Sequence, residues 1–187
     1  MAQPDLIDRA RHGDESAWEA LVRDHQQPLF RLAYLLLGDA DEAEDVTQEA
    51  FVRAFHALDR FDHTRPLRPW LLRIVTNLAH NRRRALRRYL TALLKAGRSE
   101  PEPISAIGER SAEQWEAQTL WQAVRQLRAA DQRIIYLRYF LDLSEAETAA
   151  ALAIAPGTVK SRLHRATQRL RQIVDVEFPA LREGRER

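Results

Sequence analysis

Three features of the sequence predict an all-α fold: two small helical domains joined by a flexible linker, the second containing a helix-turn-helix. Apolar residues recur at helical spacing through almost every segment, and no stretch alternates in the manner of a strand. Composition breaks at residues 97–109 (GRSEPEPISAIGE), where Gly, Ser and two prolines accompany a change from basic to acidic character. Residues 144–172 then read as two helices joined by a tight turn. The predicted domains are 5–95 and 111–178, with the linker at 96–110.

The first domain begins with residues 14–37, where Trp18, Leu21, Val22, Leu29, Leu32, Ala33 and Leu36 mark one helix, bent near Pro28. Gly38 and the acids after it end that helix and start the next, at about 41–60. Its first turns carry Asp39, Asp41, Glu42, Glu44, Asp45 and Glu49. The helix dipole favours acids there, so part of the cluster needs no function. On a helical wheel, however, Asp41, Asp45, Gln48 and Val52 share a stripe edged by Glu49 and Phe55, while Ala43, Val46 or Thr47, Ala50 and Ala54 take a neighbouring face. Carboxylates mixed with Val52 and Phe55 suit a partner carrying basic and apolar groups. A solvated face beside core edges fits the same pattern.

Residues 60–69 (RFDHTRPLRP) form a loop, by their prolines and turn formers. A long helix follows, from 67 or 70 to 89, with Leu67, Leu71, Ile74, Val75 and Leu78 as its buried stripe. Another row holds Trp70, Arg73, Asn77, Asn81, Arg84 and Arg88. From 82 to 98 there are seven cations and no acid. An aromatic, two amides and several arginines in line have the makings of a nucleic-acid track. Trp70 by itself also fits a core position.

In the second domain, residues 114–127 form a helix, and Asp131 is expected to cap another that carries Ile134, Ile135, Leu137 and Leu141. Ser144, with Glu147 three residues later, makes a capping box for a short helix through Leu152. Pro156 suits the first turn of the next helix. There Val159, Leu163, Ala166 and Leu170 fall on one side, and Ser161, His164, Arg165 and Gln168 on the other, flanked by Lys160, Arg162 and Arg169. No acid occurs between Pro156 and Gln172. Such a face can read base edges in a major groove while its flanking cations meet phosphates. Pro179 stops this helix, and the REGRER tail is expected to be disordered.

The totals narrow the function. The chain of 187 residues is 45% apolar and carries a net charge of only +2, so the basic character lies in its patterning. Cysteine is absent, which leaves no disulfide framework and no thiolate metal site. MAQPDLIDRA has no apolar signal core, and no run approaches membrane-spanning length, so a soluble, cytoplasmic protein is expected. His25, His56 and His80 are scattered, and no phosphate loop, metal-ligand cluster or nucleophile arrangement occurs. The expectation is a protein with no catalytic residue, no metal and no cofactor, and not an enzyme.

Taken together, DEAEDVTQEAFVRAF (41–55), RPWLLRIVTNLAHNRRR (68–84) and PGTVKSRLHRA (156–166) resemble a bacterial RNA polymerase sigma factor of the sigma-70 family. With two such blocks, the chain is similar to the compact extracytoplasmic-function (ECF) group over about residues 5–178. PGTVKSRL alone would also fit response-regulator output domains. The resemblance implies that Asp45, Gln48, Glu49, Val52 and Phe55 dock on core polymerase, whose beta-prime clamp helices and beta flap are the implied partners. It implies that Asp62, His63, Trp70, Arg73, Asn77, Asn81, Arg84 and Arg88 melt and read the minus-ten promoter element. Thr158, Lys160, Ser161, Arg162, His164, Arg165 and Arg169 match the helix that reads the minus-thirty-five element. An anti-sigma factor, a stress or envelope-signal regulon and a linker threading toward the RNA exit path are further implications. The sequence departs from the pattern at 63–67 (HTRPL), richer in proline and charge than usual, at Ala153 where the turn usually has Gly, and at Thr148 where Ile is common.

Two other functions fit parts of the chain. A stand-alone helix-turn-helix regulator would need neither the acid-and-apolar stripe nor the Trp70–Arg88 row. An RNA-binding helical adaptor would explain the arginines but not the capped turn-helix.

Overall fold

The computed structural model describes residues 3–95 and 112–179, and every regular element among them is helical. The expected linker at 96–110 and the REGRER tail lie outside the described residues. The first group of helices is α1 (Gln3–Arg11), α2 (Glu15–Leu37), α3 (Ala40–Ala57), a 3-10 turn (Leu58–Arg60) and α4 (Leu67–Lys95). The second is α5 (Ala112–Gln126), α6 (Ala129–Ile135), a π-helical turn (Tyr136–Phe140), α7 (Glu145–Leu152) and α8 (Pro156–Glu177).

Local chemistry fixes the boundaries in the first group. The Asp14 carboxylate accepts from Ala17 N at 3.1 Å and starts α2, which runs through Pro28 to Gly38. Gly38 takes φ 79°, ψ 9°, a left-handed cap that turns the chain into α3. Asp39 caps α3 through Glu42 N at 2.9 Å. The core holds Leu21, Leu29 and Leu32 of α2, Val46, Ala50 and Ala54 of α3, and Leu67, Leu71 and Val75 of α4. Each belongs to the apolar stripe that the spacing predicts. Helix α1 is an addition: Leu6, Ile7 and Ala10 are buried against the bundle, although the sequence reading placed no helix there.

Helix α4 also buries a second face. Leu72, Thr76 and Ala79 are closed off from solvent, and α7 packs against this helix. Two polar contacts join the helix groups. Arg68 Nη2 donates to the Leu141 carbonyl at 2.9 Å, and Arg83 Nη1 donates to Gln132 Oε1 at 3.0 Å.

The second group departs from expectation at α6. Arg128 occupies the cap position without a side-chain bond, and Asp131 sits inside the first turn. Asp131 is buried and accepts from Arg128 Nε at 3.2 Å and Arg169 Nη1 at 2.8 Å. Its sequence position resembled a cap because capping and first-turn acids share the same helix-end electrostatics. The helix containing Ile134 and Ile135 then widens into the π turn, where Tyr136 is buried against Trp121 and Phe140.

Candidate nucleic-acid and partner interfaces

Three surfaces emerge from this framework, the first on α3. Asp45, Gln48 and Glu49 are exposed, and so are Val52 at 56% and Phe55 at 50%. Burial of Ala43, Val46, Thr47, Ala50 and Ala54 on the opposite side turns these five residues outward. The Phe55 ring stands edge-on to Trp18 at 5.2 Å, which holds the aromatic in place without covering it. Three carboxylates of the cluster already have an internal partner: Arg82 of α4 binds Glu42, and also Asp45 at 3.1 Å. Glu49 pairs with Arg53 at 2.6 Å. All these pairs are exposed, so water weakens them and leaves the acids available to a partner.

The second surface joins the loop before α4 to one face of that helix. The Asp62 carboxylate accepts from Thr64 N at 3.1 Å, Thr64 Oγ1 at 2.6 Å and Arg65 Nε at 3.1 Å. These bonds hold the Asp62 carboxyl below its ordinary pKa, the Thr64 hydroxyl contributing most. Arg11, on the terminal helix, secures the loop from behind. It donates to the carbonyls of Leu58, at 2.9 Å, and Phe61, and lies 3.2 Å from His63 Nδ1. Trp70 is half-buried, with its ring centroid 4.7 Å from that of Phe61. Beyond it Arg73, Asn77, Asn81, Arg84 and Arg88 are all exposed on one side of α4. Arg73 and Asn77 border a cleft whose other wall contains Arg133, Ala151 and Arg162.

The third surface is the turn-helix. Ser144 N donates to Glu147 Oε2 at 2.8 Å and Glu147 N to Ser144 Oγ at 3.2 Å, completing the predicted capping box. The backbone donor and the hydroxyl of Ser144 lower the Glu147 pKa. Helix α7 ends at Ala153, whose φ 53° and ψ 47° place a residue with a Cβ in the left-handed region. Pro156 opens α8 as expected. Val159 and Ala166 are buried, which sets Lys160, Ser161, Arg162, His164 and Arg165 toward solvent and leaves Thr158 half-buried. Arg165 Nε rests on the Ser161 carbonyl at 3.2 Å, a bond to its own helix that leaves the rest of the guanidinium fork free to turn outward. Arg169, expected as a flanking cation, has a partner within the protein. It is half-buried, and its charge is engaged by Asp131.

The sequence reading missed Arg11, Arg68, Arg82 and Asp131 as organisers of these surfaces. Apart from the short Arg11–Asp8 and Arg128–Asp131 contacts, their partners lie between 37 and 73 residues away, so no local spacing signals them. Among the described residues, no group of acids and histidines could hold a metal ion, and no helix is long and apolar enough to cross a membrane.

Comparison with known proteins gives these surfaces a context. The family model for sigma-70 region 2 matches residues 21–89, and that for sigma-70 region 4 matches 117–170. The chain is 35% identical over 174 residues to the ECF RNA polymerase sigma factor SigW of Bacillus subtilis, covering 89% of this chain and 93% of that one. It is 34% identical over 171 residues to SigL of Mycobacterium tuberculosis, with coverage of 88% and 93%. Among solved structures it is similar to CnrH in complex with the cytosolic domain of CnrY. That match has a TM-score of 0.70, 28% identity, and coverage of 95% of this chain and 99% of that one. It is also similar to the sigma factor RpoE of Bartonella quintana in complex with the anti-sigma factor NepR, with a TM-score of 0.67, 26% identity, and coverage of 85% and 97%.

Proposed function

The chain belongs to the ECF sigma factors of the sigma-70 family, and on that premise we propose how its three surfaces divide the work of initiation. As a sigma factor it binds core RNA polymerase and directs promoter recognition, melting and the start of transcription. Its proposed place of action is the cytoplasm.

The α3 face is the core-docking surface. Asp45, Gln48 and Glu49 offer acceptors to basic residues, and Val52 and Phe55 supply the apolar contact that carries affinity once water is excluded. The loop at Asp62 and His63 and the α4 row of Arg73, Asn77, Asn81, Arg84 and Arg88 take the minus-ten strand. A base held out of the stack costs a few kcal/mol per step, which amide hydrogen bonds, stacking and cations along the strand offset. Half-buried Trp70 contributes with them. Thr158, Lys160, Ser161, Arg162, His164 and Arg165 of α8 read the minus-thirty-five duplex through the major groove. An anti-sigma factor is the proposed regulatory partner, as the RpoE complex with the anti-sigma factor NepR suggests.

One observation carries this division: a single chain presents an acid-and-apolar helix face and two separate nucleic-acid faces, all solvent-exposed and each on a different helix. A stand-alone regulator has no use for the first. Reconstitution provides the test. The chain mixed with core polymerase should co-purify as a complex and support transcription from a duplex promoter that core alone does not use. Duplex binding by the chain alone, unaffected by core, would favour the regulator instead.

The packing of α4 against α7 bears on this scheme. Arg73 and Asn77 are exposed yet face Arg133 and Arg162 across a cleft, so withdrawal of the second helix group would widen a strand's access to them.

A further inference from the structure

The two helix groups meet along a seam lined with cations. On one side of Arg133 a cleft of about 120 Å³ is bordered by His80, Arg83, Arg84 and Arg87 of α4. On its other side a second cleft of about 120 Å³ is bordered by Arg73 and Asn77 of α4 and Arg162 of α8. Arg133 lines both. Among the described residues, no carboxylate borders either cleft.

Two of these guanidinium groups are half-buried. Arg133 Nε is shut off from solvent with no hydrogen-bond partner, and Arg83 donates to the neutral amide oxygen of Gln132 at 3.0 Å. Burial lowers the pKa of both, and the like charges of Arg87 and Arg162 add to the effect. Elsewhere Arg82 meets Glu42 and Asp45, and Arg169 meets Asp131, each pairing an interhelical cation with an acid. The seam instead gathers like charges where water is partly excluded, an arrangement that a bound anion would relieve.

Guanidinium forks fit phosphate oxygens two at a time, and such charge-assisted bonds strengthen as water is excluded. One phosphate group would engage cations on one side of Arg133, whereas two linked groups could reach both. We propose that this seam binds a compact anion bearing two linked phosphates, held by Arg83 and Arg87 of α4 on one side of Arg133 and by Arg162 of α8 on the other, which bridges the helix groups. Free inorganic pyrophosphate and the diphosphate of a nucleotide share this chemistry. Occupancy keeps Arg73 and Asn77 against the second group and so opposes promoter opening. That consequence rests on the sigma-factor reading, whereas the binding itself does not.

Calorimetric titration of the full chain at constant ionic strength tests the site, with inorganic pyrophosphate, orthophosphate and guanosine diphosphate as probes. Pyrophosphate should bind once per chain and about ten-fold or more tighter than orthophosphate. Arg133→Gln and Arg83→Gln should each weaken it by about ten-fold or more, whereas Arg23→Gln, on the exposed side of α2, should not. Should Arg133→Gln not fold, Arg133→Lys, which keeps the charge and loses the fork, should weaken binding in its place. Guanosine diphosphate binding tighter than pyrophosphate supports the site with a nucleotide source, and equal or weaker binding supports it with an inorganic one. Pyrophosphate affinity no greater than that of orthophosphate, or unchanged in the folded seam variants, overturns the proposal. So does loss of promoter binding by these variants when pyrophosphate does not bind at all, since the arginines then serve DNA alone.

Discussion

Arg169 Nη1 donates to Asp131 Oδ2 at 2.8 Å, so α8, the helix proposed to read the promoter, is fastened to α6 by a carboxylate that is only 9% exposed. The contact gives Arg169 a structural task that its neighbours Arg162 and Arg165 do not share. It also separates two kinds of variant on one helix.

Arg169→Ala should lower stability, by about 1–2 kcal/mol, because it leaves Asp131 buried with the exposed Arg128 as its remaining cation. Adding Asp131→Asn should recover part of that loss. Chemical denaturation of the single and double variants checks this. Unchanged stability together with a shallower salt dependence of DNA binding would mean that Arg169 grips a phosphate after all.

Arg165→Ala should leave stability unchanged within about 0.5 kcal/mol, as an exposed position, and cost about 1–3 kcal/mol of specific duplex affinity. Base preference should relax at one position of the minus-thirty-five element, measurable by competition among single-base variants of the site. A loss shared equally by all sequences would assign Arg165 to the backbone instead.

On α3, Asp45→Lys combined with Glu49→Lys should weaken core-polymerase binding while the fold persists. The exposed pairs to Arg82 and Arg53 that the change breaks are worth about 0–1 kcal/mol each. Phe55→Ala should weaken core binding as well, through loss of the half-exposed ring that Trp18 supports. Affinity for core measured by fluorescence anisotropy distinguishes the outcomes, and an unchanged value in both variants would leave this face merely solvated.

Ala153→Gly should stabilise the protein. The left-handed backbone costs a residue with a Cβ about 1–2 kcal/mol, and the greater freedom of Gly in the unfolded chain returns about 0.4–1 kcal/mol of that. A net gain of about 0.5–1 kcal/mol should appear in urea denaturation. Equal or lower stability would show that the turn tolerates Ala without strain.

Much of this architecture was legible in the sequence because its causes are local. The stripes Leu67–Leu71–Val75 and Val46–Ala50–Ala54, the Ser144–Glu147 capping box and the stops at Gly38 and Pro179 each depend on residues within a turn or two of one another. The exposed residues of the α3, α4 and α8 faces were legible for the same reason: burial of one side of a helix dictates the other. What escaped was set by distant contacts. Leu72, Thr76 and Ala79 are buried on a helix that packs against α2, α3 and α7 together, which no periodicity within α4 reveals. Trp70 divides between the two readings open to it, packed on Phe61 yet only half-buried. Asn77 is exposed, so its amide is available for the role its row suggested.

That availability bears on the central claim, that this chain opens promoter DNA through the exposed face of α4. The direct measurement is the rate of open-complex formation by core polymerase with Asn77→Ala, on a duplex promoter and on the same template pre-opened by mismatches. If the Asn77 amide holds an unstacked minus-ten base, the variant should be slow on the duplex and regain much of its rate on the open template. An altered base preference should persist on both, and the melting temperature of the free protein should not change. Equal damage on both templates, with unaltered preference and a lowered melting temperature, would contradict the account and make Asn77 a structural residue.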